Sequence, residues 1–269
     1  MVSTDNLAAL AASGGHRTLA ERAFATLHEA IITGVLAPGE RLPIEELADV
    51  VDMSPMPIRE ALRLLDSVGL VENIPHRGAR VTQLSIDDLH EVYEARLALE
   101  PLAIRHAAEN FTASDVELAQ RCLHEHVEAS RGTDLGAVWA THTAFHFALY
   151  DAAHSRWMSR LIRPLWETSE RYRFAMLPIR ASLTKRRDEH ELILKACAEH
   201  DPDFAARELY NHLSRTANQV ATHMGGDELF ELLPEGSQPL VPGPSLYRRN
   251  PPMPVLDGGA EIADPAHDS

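Results

Sequence analysis

Apolar residues recur at helical spacing along most of the chain, in blocks separated by turn residues. Behind Thr18-x-x-Glu21, which has the form of a capping box, Leu19, Ala23, Leu27, Ala30 and Ile31 share one face as far as Gly34. Pro38-Gly39 marks a turn, and a short helix is predicted around 44–51. After the tight connection Asp52-Met53, Ser54 is placed to cap a third helix whose first position is Pro55. That helix carries Ile58, Ala61, Leu62, Leu65 and Val68 and ends at Gly69. The pattern then changes. Residues 70–73 and 80–82 read as short strands with a hairpin tip at 75–78. From residue 84 the helical period returns, predicting helices over 86–109, 113–130, 134–153, 155–177, 182–199 and 202–223. Ser85-x-x-Asp88 and Thr112-x-x-Asp115 open two of them, and Pro164 is expected to kink or split the fourth.

Three helices and a hairpin in under 70 residues have the pattern of a winged helix-turn-helix. In that arrangement a short helix braces the next, whose first turn enters the major groove with its free N–H groups toward phosphate. A small helical subdomain with a connecting hairpin shares the same pattern. The expected fold is mainly α: an N-terminal winged helix-turn-helix (16–83) followed by an all-α helical bundle (84–224). Residues 1–15 are expected to fray. Residues 225–269 hold eight of the seventeen prolines and no sustained hydrophobic period, so a disordered, acidic tail is expected there.

Charge and composition refine this division. The formal charge of −15 argues against nucleic acid, but it is unevenly placed. Six units belong to the tail, five to the helical bundle and one to Asp5, leaving −3 for residues 16–83. Two cysteines, Cys122 and Cys197, exclude a disulfide framework. No apolar run is long enough for a bilayer, and no basic flank precedes the apolar stretch at 7–12. A cytoplasmic protein with no membrane partner is expected.

The fifteen histidines equal Phe, Trp and Tyr combined. His142 and His146 are four apart and share a helical face; His190 and His212 fall on two later helices. Metal sites in helical bundles are built this way, since neutral imidazole is the commonest transition-metal ligand. Ordinary core or solvated histidines are the alternative. His106, His124, His126, His154, His200 and His223 are read that way.

Specific residues add to the pattern. Ile31-Ile32-Thr33-Gly34-Val35-Leu36-Ala37-Pro38-Gly39-Glu40-Arg41-Leu42, Glu46-Leu47-Ala48, Ser54-Pro55-Met56-Pro57-Ile58-Arg59-Glu60-Ala61-Leu62, Gly69-Leu70-Val71 and Arg77-Gly78-Ala79-Arg80-Val81 occur in order over residues 18–82. This stretch resembles the GntR family of bacterial transcription regulators. The resemblance implies sequence-specific binding of double-stranded DNA, at a pseudo-palindromic operator, by a homodimer. In the family the third helix usually begins Ser-Arg-Thr-Pro-Val-Arg-Glu-Ala-Leu. Ser54 and Arg59 match that motif, but Pro55 and Met56 replace its first arginine and its threonine. An arginine can read guanine bidentately and proline cannot. Either the operator differs from the usual family half-site or base readout moves to other residues, and base and phosphate contacts are expected from Ser54, Arg59, Arg63, His76, Arg77, Gly78 and Arg80. Arg63 equally suits a solvated helix face.

Residues 86–215 resemble the C-terminal ligand-binding domain of the FadR subfamily, the FCD type. Arg96-Leu97-Ala98-Leu99-Glu100, Phe145-His146-x-x-Leu149, Glu189-His190-x-x-Ile193 and His212-Leu213 carry the likeness. Many members bind a divalent metal through three histidines and an Asp. His146, His190 and His212 match the histidines, and His142 stands where the Asp is usual. Losing that charge but keeping a donor favours zinc, with nickel or cobalt as alternatives, over manganese. Loss of the metal altogether is the competing outcome.

The resemblance implies a ligand-responsive regulator, most often a repressor, and not an enzyme. A small organic acid is the expected effector, displacing metal-bound water while an arginine meets its other end. Arg96 is the first candidate for that arginine, followed by Arg171 and Arg173. Two alternatives remain: a dimeric DNA-binding protein whose metal only stabilises it, and a metalloenzyme with an accessory helix-turn-helix. The chain contains no His-Glu-x-x-His motif of the hydrolase type.

Overall fold

The computed structural model describes Leu7, Leu10, Ala11 and residues 18–74, 78–176 and 183–239. The N-terminal unit comprises α1 (Leu19–Ile32), β1 (Arg41–Leu42), α2 (Ile44–Val50), α3 (Pro55–Ser67), β2 (Val71–Ile74) and β3 (Gly78–Val81). Thr18 and Glu21 form the expected capping box on α1. Gly69, at φ +77°, closes α3: its N–H reaches Asp66 O and that of Leu70 reaches Leu65 O, a Schellman ending that needs left-handed backbone. The sheet is antiparallel in the order β1-β3-β2, with Arg41 opposite Arg80 and Val71 opposite Val81. The two-residue β1 is absent from the sequence reading because period-two alternation needs a longer run to show. The core of this unit is Leu27, Ile31, Ile58, Leu62, Leu65 and Val81, and the buried Leu7 joins it.

The remaining helices are α4 (Ile86–Glu109), α5 (Ala113–Ala129), α6 (Leu135–Asp151), α7 (Arg156–Met176), α8 (Leu183–Ala198) and α9 (Pro202–His223). Each lies within three residues of its predicted bounds. Ser85 and Thr112 cap α4 and α5 as their spacing implies. Pro164 does not split α7, which runs through it. The second core centres on Tyr93, Phe145, Tyr150, Trp166, Ile193 and Leu209. Among the described residues, no helix is long and apolar enough to cross a membrane.

The segment after α9 corrects the expectation of disorder from residue 225. Up to Pro239 it lies as a strap along α9 and α4. Asn218 Oδ1 accepts from the N–H groups of Leu229 and Phe230, and its Nδ2 donates to Phe230 O. Asn211, two helical turns earlier, grips Leu233 N–H and C=O in the same way. Phe230 stacks on His90 with centroids 5.1 Å apart. A Cβ on Gly226 would meet Ile86 Cδ1 at 2.6 Å, so the chain passes α4 too closely for a side chain. Composition missed this because the partners are side-chain amides 11–22 residues back on the preceding helix, and no hydrophobic period marks them. Residues 240–269 lie outside the described residues.

The two units meet through α1. His28 Nε2 lies 3.2 Å from Glu167 Oε2 on α7, and its ring stands 5.6 Å from that of Trp139 on α6. Trp139 and Phe174 pack against the core of the N-terminal unit.

Candidate metal centre and DNA-facing surface

Three helices of the bundle aim four imidazoles at one point. Two are on α6, where the spacing of four puts His142 and His146 on one face; α8 supplies His190 and α9 supplies His212. All four are buried, and one ligand atom from each lies within 4.8 Å of the others. The Nε2 atoms of His146 and His190 are 3.1 Å apart. Trp166 forms a wall, its ring 4.6 Å from that of His146 and 5.1 Å from that of His142.

Surrounding groups fix which nitrogen faces inward. Tyr150 donates its O–H to Glu100 Oε2 at 2.6 Å, so its oxygen accepts from His146 Nδ1–H at 3.2 Å. Burial, and then Glu100, hold the Tyr150 hydroxyl well above its ordinary pKa, which keeps that donor in place. His212 Nδ1 donates to Glu189 Oε2 at 2.8 Å, and Glu189 Oε1 accepts from Arg215. His142 Nδ1 is 3.2 Å from both Glu170 Oε2 and Arg173 Nη2. With Nδ1 occupied on three rings, Nε2 is the nitrogen left for a ligand, as in histidine metal sites generally.

Electrostatics favours the ligating form. Burial first, then Arg173 and the neighbouring imidazoles, push His142 well below its ordinary pKa. Burial and the adjoining His142 and His212 do the same to His146. Neutral rings with inward lone pairs are what a cation needs. The donor set therefore fits a divalent transition metal, and the cluster could hold one.

The arginines divide. Arg96 is buried and committed: it donates to both oxygens of Glu100, at 2.6 and 3.1 Å, and to Ser169 Oγ at 2.7 Å. Burial opposes its charge, but Glu100 and the tyrosines outweigh that and hold its pKa above the ordinary value. It reaches the cluster through Glu100 and Tyr150, with no free charge to offer; Glu100, at i+4 on the same helix, is the cause. Arg173 is at the cluster, donating to both oxygens of Glu170 and lying against His142. Arg171 shares no hydrogen bond with the cluster.

Sequence reading passed over several neighbours. His126, taken as ordinary, is buried with its ring 4.9 Å from His142 and 6.0 Å from His190. Tyr150 stands four residues after His146, a spacing that was legible. Nothing local signals His126 or Glu170, and the Glu189-His190 motif does not show that Glu189 meets His212 on another helix.

On the N-terminal unit, Ser54 occupies the N-cap of α3 without a capping bond from its side chain. Pro57 removes the third N–H, one of the two that an N-cap oxygen binds, and leaves that of Met56. Met56 is 69% exposed beside it. Arg59 is exposed and has no ion pair among the described residues. Arg63 is exposed and pairs with Glu60 at 2.9 Å. Arg80 pairs with Glu72 across the hairpin. Gly78 begins β3 at φ +79°. His76 and Arg77 lie outside the described residues.

Comparisons place this architecture. Residues 19–81 match the bacterial regulatory proteins of the gntR family, and residues 91–215 match the FCD domain. The transcriptional regulator BphR of Paraburkholderia xenovorans is 30% identical over 213 residues, covering 76% of this chain and 86% of its own. A probable D-xylose utilization operon transcriptional repressor of Paenarthrobacter nicotinovorans is 31% identical, covering 73% of this chain and 86% of its own. The solved structure of E. coli McbR/YncC shares the fold, with a TM-score of 0.69 at 24% identity, covering 78% of this chain and all of that one. The chain belongs to the GntR family, carries an FCD domain, and is a transcription regulator.

Proposed function

We propose that this regulator is a cytoplasmic repressor that binds a pseudo-palindromic operator as a homodimer and is released by a small organic acid sensed at a metal. The convergence of His142, His146, His190 and His212 within 4.8 Å carries the reading. Four imidazoles with no carboxylate ligand favour zinc, then nickel or cobalt. When bound, the metal supplies a Lewis-acidic position for a carboxylate oxygen. This chain's residues do the rest. Glu189 and Tyr150 hold two rings in register, and Trp166 excludes water from one side. Arg173 is the charged group beside His142 that meets the far end of the effector, exchanging part of its hold on Glu170. Arg96 is a positioning residue acting through Glu100.

For DNA, we assign base contact to Arg59 and phosphate contact to the uncommitted Ser54 hydroxyl, with Gly78, Arg80, His76 and Arg77 in the hairpin. Arg63, held by Glu60, is the weaker contact. The repressor sign follows the names of relatives, including the D-xylose operon repressor. The test is elemental analysis of purified protein, followed by anisotropy on an operator selected from random DNA with a panel of carboxylates. Stoichiometric metal, lost in His146→Ala and His190→Ala, together with release by one acid, is expected. Metal-free protein, or affinity unchanged across the panel, would overturn the respective half.

A further inference from the structure

Arg171 is the anomaly of the bundle. It is 2% exposed, and among the described residues Nε, Nη1 and Nη2 have no carboxylate or other well-formed hydrogen-bond partner, the adjacent Tyr172 hydroxyl being the polar group that helps to hold its charge. The other buried arginines, Arg96 and Arg173, each grip a carboxylate. A guanidinium carries five N–H donors and stays charged at any ordinary pH, so a dry, unpaired one is strongly unfavourable.

Its surroundings suit an anion. The guanidinium carbon lies 5.8 Å from the centroid of the Tyr172 ring. The Tyr172 hydroxyl accepts from Ser85 N–H at 3.2 Å and donates to Asp88 Oδ2 at 2.5 Å. Arg171 thus borders the first turn of α4, a helix of 24 residues. There the N–H groups of Ile86 and Asp87 have no acceptor within the helix. Asp88, whose charge acts on Arg171, accepts from Tyr172 and makes no hydrogen bond with the guanidinium among the described residues. Burial depresses the Arg171 pKa against the opposing pull of Tyr172 and Asp88.

We propose that Arg171, Tyr172 and the first turn of α4 form an anion site at the junction of the two domains, separate from the histidine cluster, taking a small singly charged carboxylate. The guanidinium fork matches a carboxylate, and the neighbouring Asp88 disfavours a dianion such as phosphate. The position gives occupancy a consequence. Glu167 and Phe174, one turn before and after Arg171, seat the N-terminal domain, and α4 begins four residues after β3. A bound carboxylate ties α4 to α7 and stiffens that seat.

The test is thermal unfolding of the full chain titrated with sodium formate or acetate, with chloride and phosphate as references at constant ionic strength. A saturable rise of several degrees is expected with the carboxylates. It is absent in Arg171→Met and Arg171→Gln, retained in Arg173→Met, and equal in zinc-loaded and metal-stripped protein. Without carboxylate, Arg171→Met melts above wild type, because it removes an unpaired charge. No saturable rise, or a rise that survives Arg171→Met or requires metal, overturns the site. So does loss of a dimer in Arg171→Met by sedimentation, which would make a second copy the partner. Failure of the metal reading leaves the formate response intact, so the two proposals fail separately.

Discussion

Replacing Glu189 with alanine perturbs the histidine cluster without touching a proposed ligand. In the wild type its carboxylate takes His212 Nδ1–H at 2.8 Å and Arg215 at 3.0 Å. Without it, His212 is free to turn or to move its proton to Nε2, where it would face the cation. Outer partners of metal-bound histidines are worth about 10–100-fold in affinity, or about 1.4–2.7 kcal/mol. Arg215 is partly exposed and is re-solvated when its partner goes, so its share is about 0–1 kcal/mol. Glu189→Gln keeps an oxygen to accept from Nδ1–H and should lose less than alanine. The expected order of zinc affinity is wild type, then glutamine, then alanine. Competition against a chromophoric chelator reads it, with circular dichroism confirming an unchanged fold. An alanine variant that binds zinc as tightly as wild type would refute the placement of the metal on His212.

Arg59→Ala should weaken operator binding by about 1–3 kcal/mol in anisotropy titrations; an unchanged Kd would remove Arg59 from the interface. Asn218→Ala deletes three strap hydrogen bonds, and at about 0.5–1.5 kcal/mol each it should cost roughly 2 kcal/mol. That lowers the melting point by about 4–8 °C in calorimetry. Removing residues 226–269 should do at least as much, and a truncated chain melting like wild type would show the strap to be idle. The metal-stripped protein should lose stability as pH falls through the ordinary histidine range. His142 and His146 have folded pKa values well below their unfolded ones, so the unfolded state takes up protons first. Urea unfolding at neutral and mildly acidic pH measures this, and a flat profile would contradict the burial of those rings.

What the sequence made legible was local. Thr18/Glu21 and Thr112/Asp115 announce their helices because both partners of a capping box lie within four residues. His142 and His146 announce a shared face for the same reason. The misses involve partners far apart in the chain. The strap looked disordered because its order comes from Asn211 and Asn218, whose buried amides substitute for a sheet neighbour. Glu170 and Glu189 meet His142 and His212 on other helices, a pairing that no local spacing encodes. Arg96 keeps its charge but has it paired, because Glu100 answers it one turn away. Ser54 has the position of a cap but makes no capping bond, and Pro57 removes one of the two N–H groups open to it.

The same two helices serve both ends of the proposed response. On α6, His142 faces the cluster, while Trp139, one turn earlier, faces His28 of α1. On α7, Glu170 and Arg173 face His142, while Glu167 and Phe174 hold the N-terminal domain. A ligand shifts an equilibrium only by its difference in affinity for the two states. Here that difference has a concrete origin. To bind an effector, Arg173 must trade contacts with Glu170 and His142, and both lie on the helices that seat α1. Any spacing of α6 and α7 that suits the effector but not Trp139 and Glu167 therefore loosens the DNA-binding domain. By reciprocity, DNA that fixes that domain must weaken the effector by the same factor. Arg173→Met should then abolish the effect of the acid on DNA affinity while leaving DNA binding itself unchanged. Retention of full release in that variant would mean that the signal does not pass through α7.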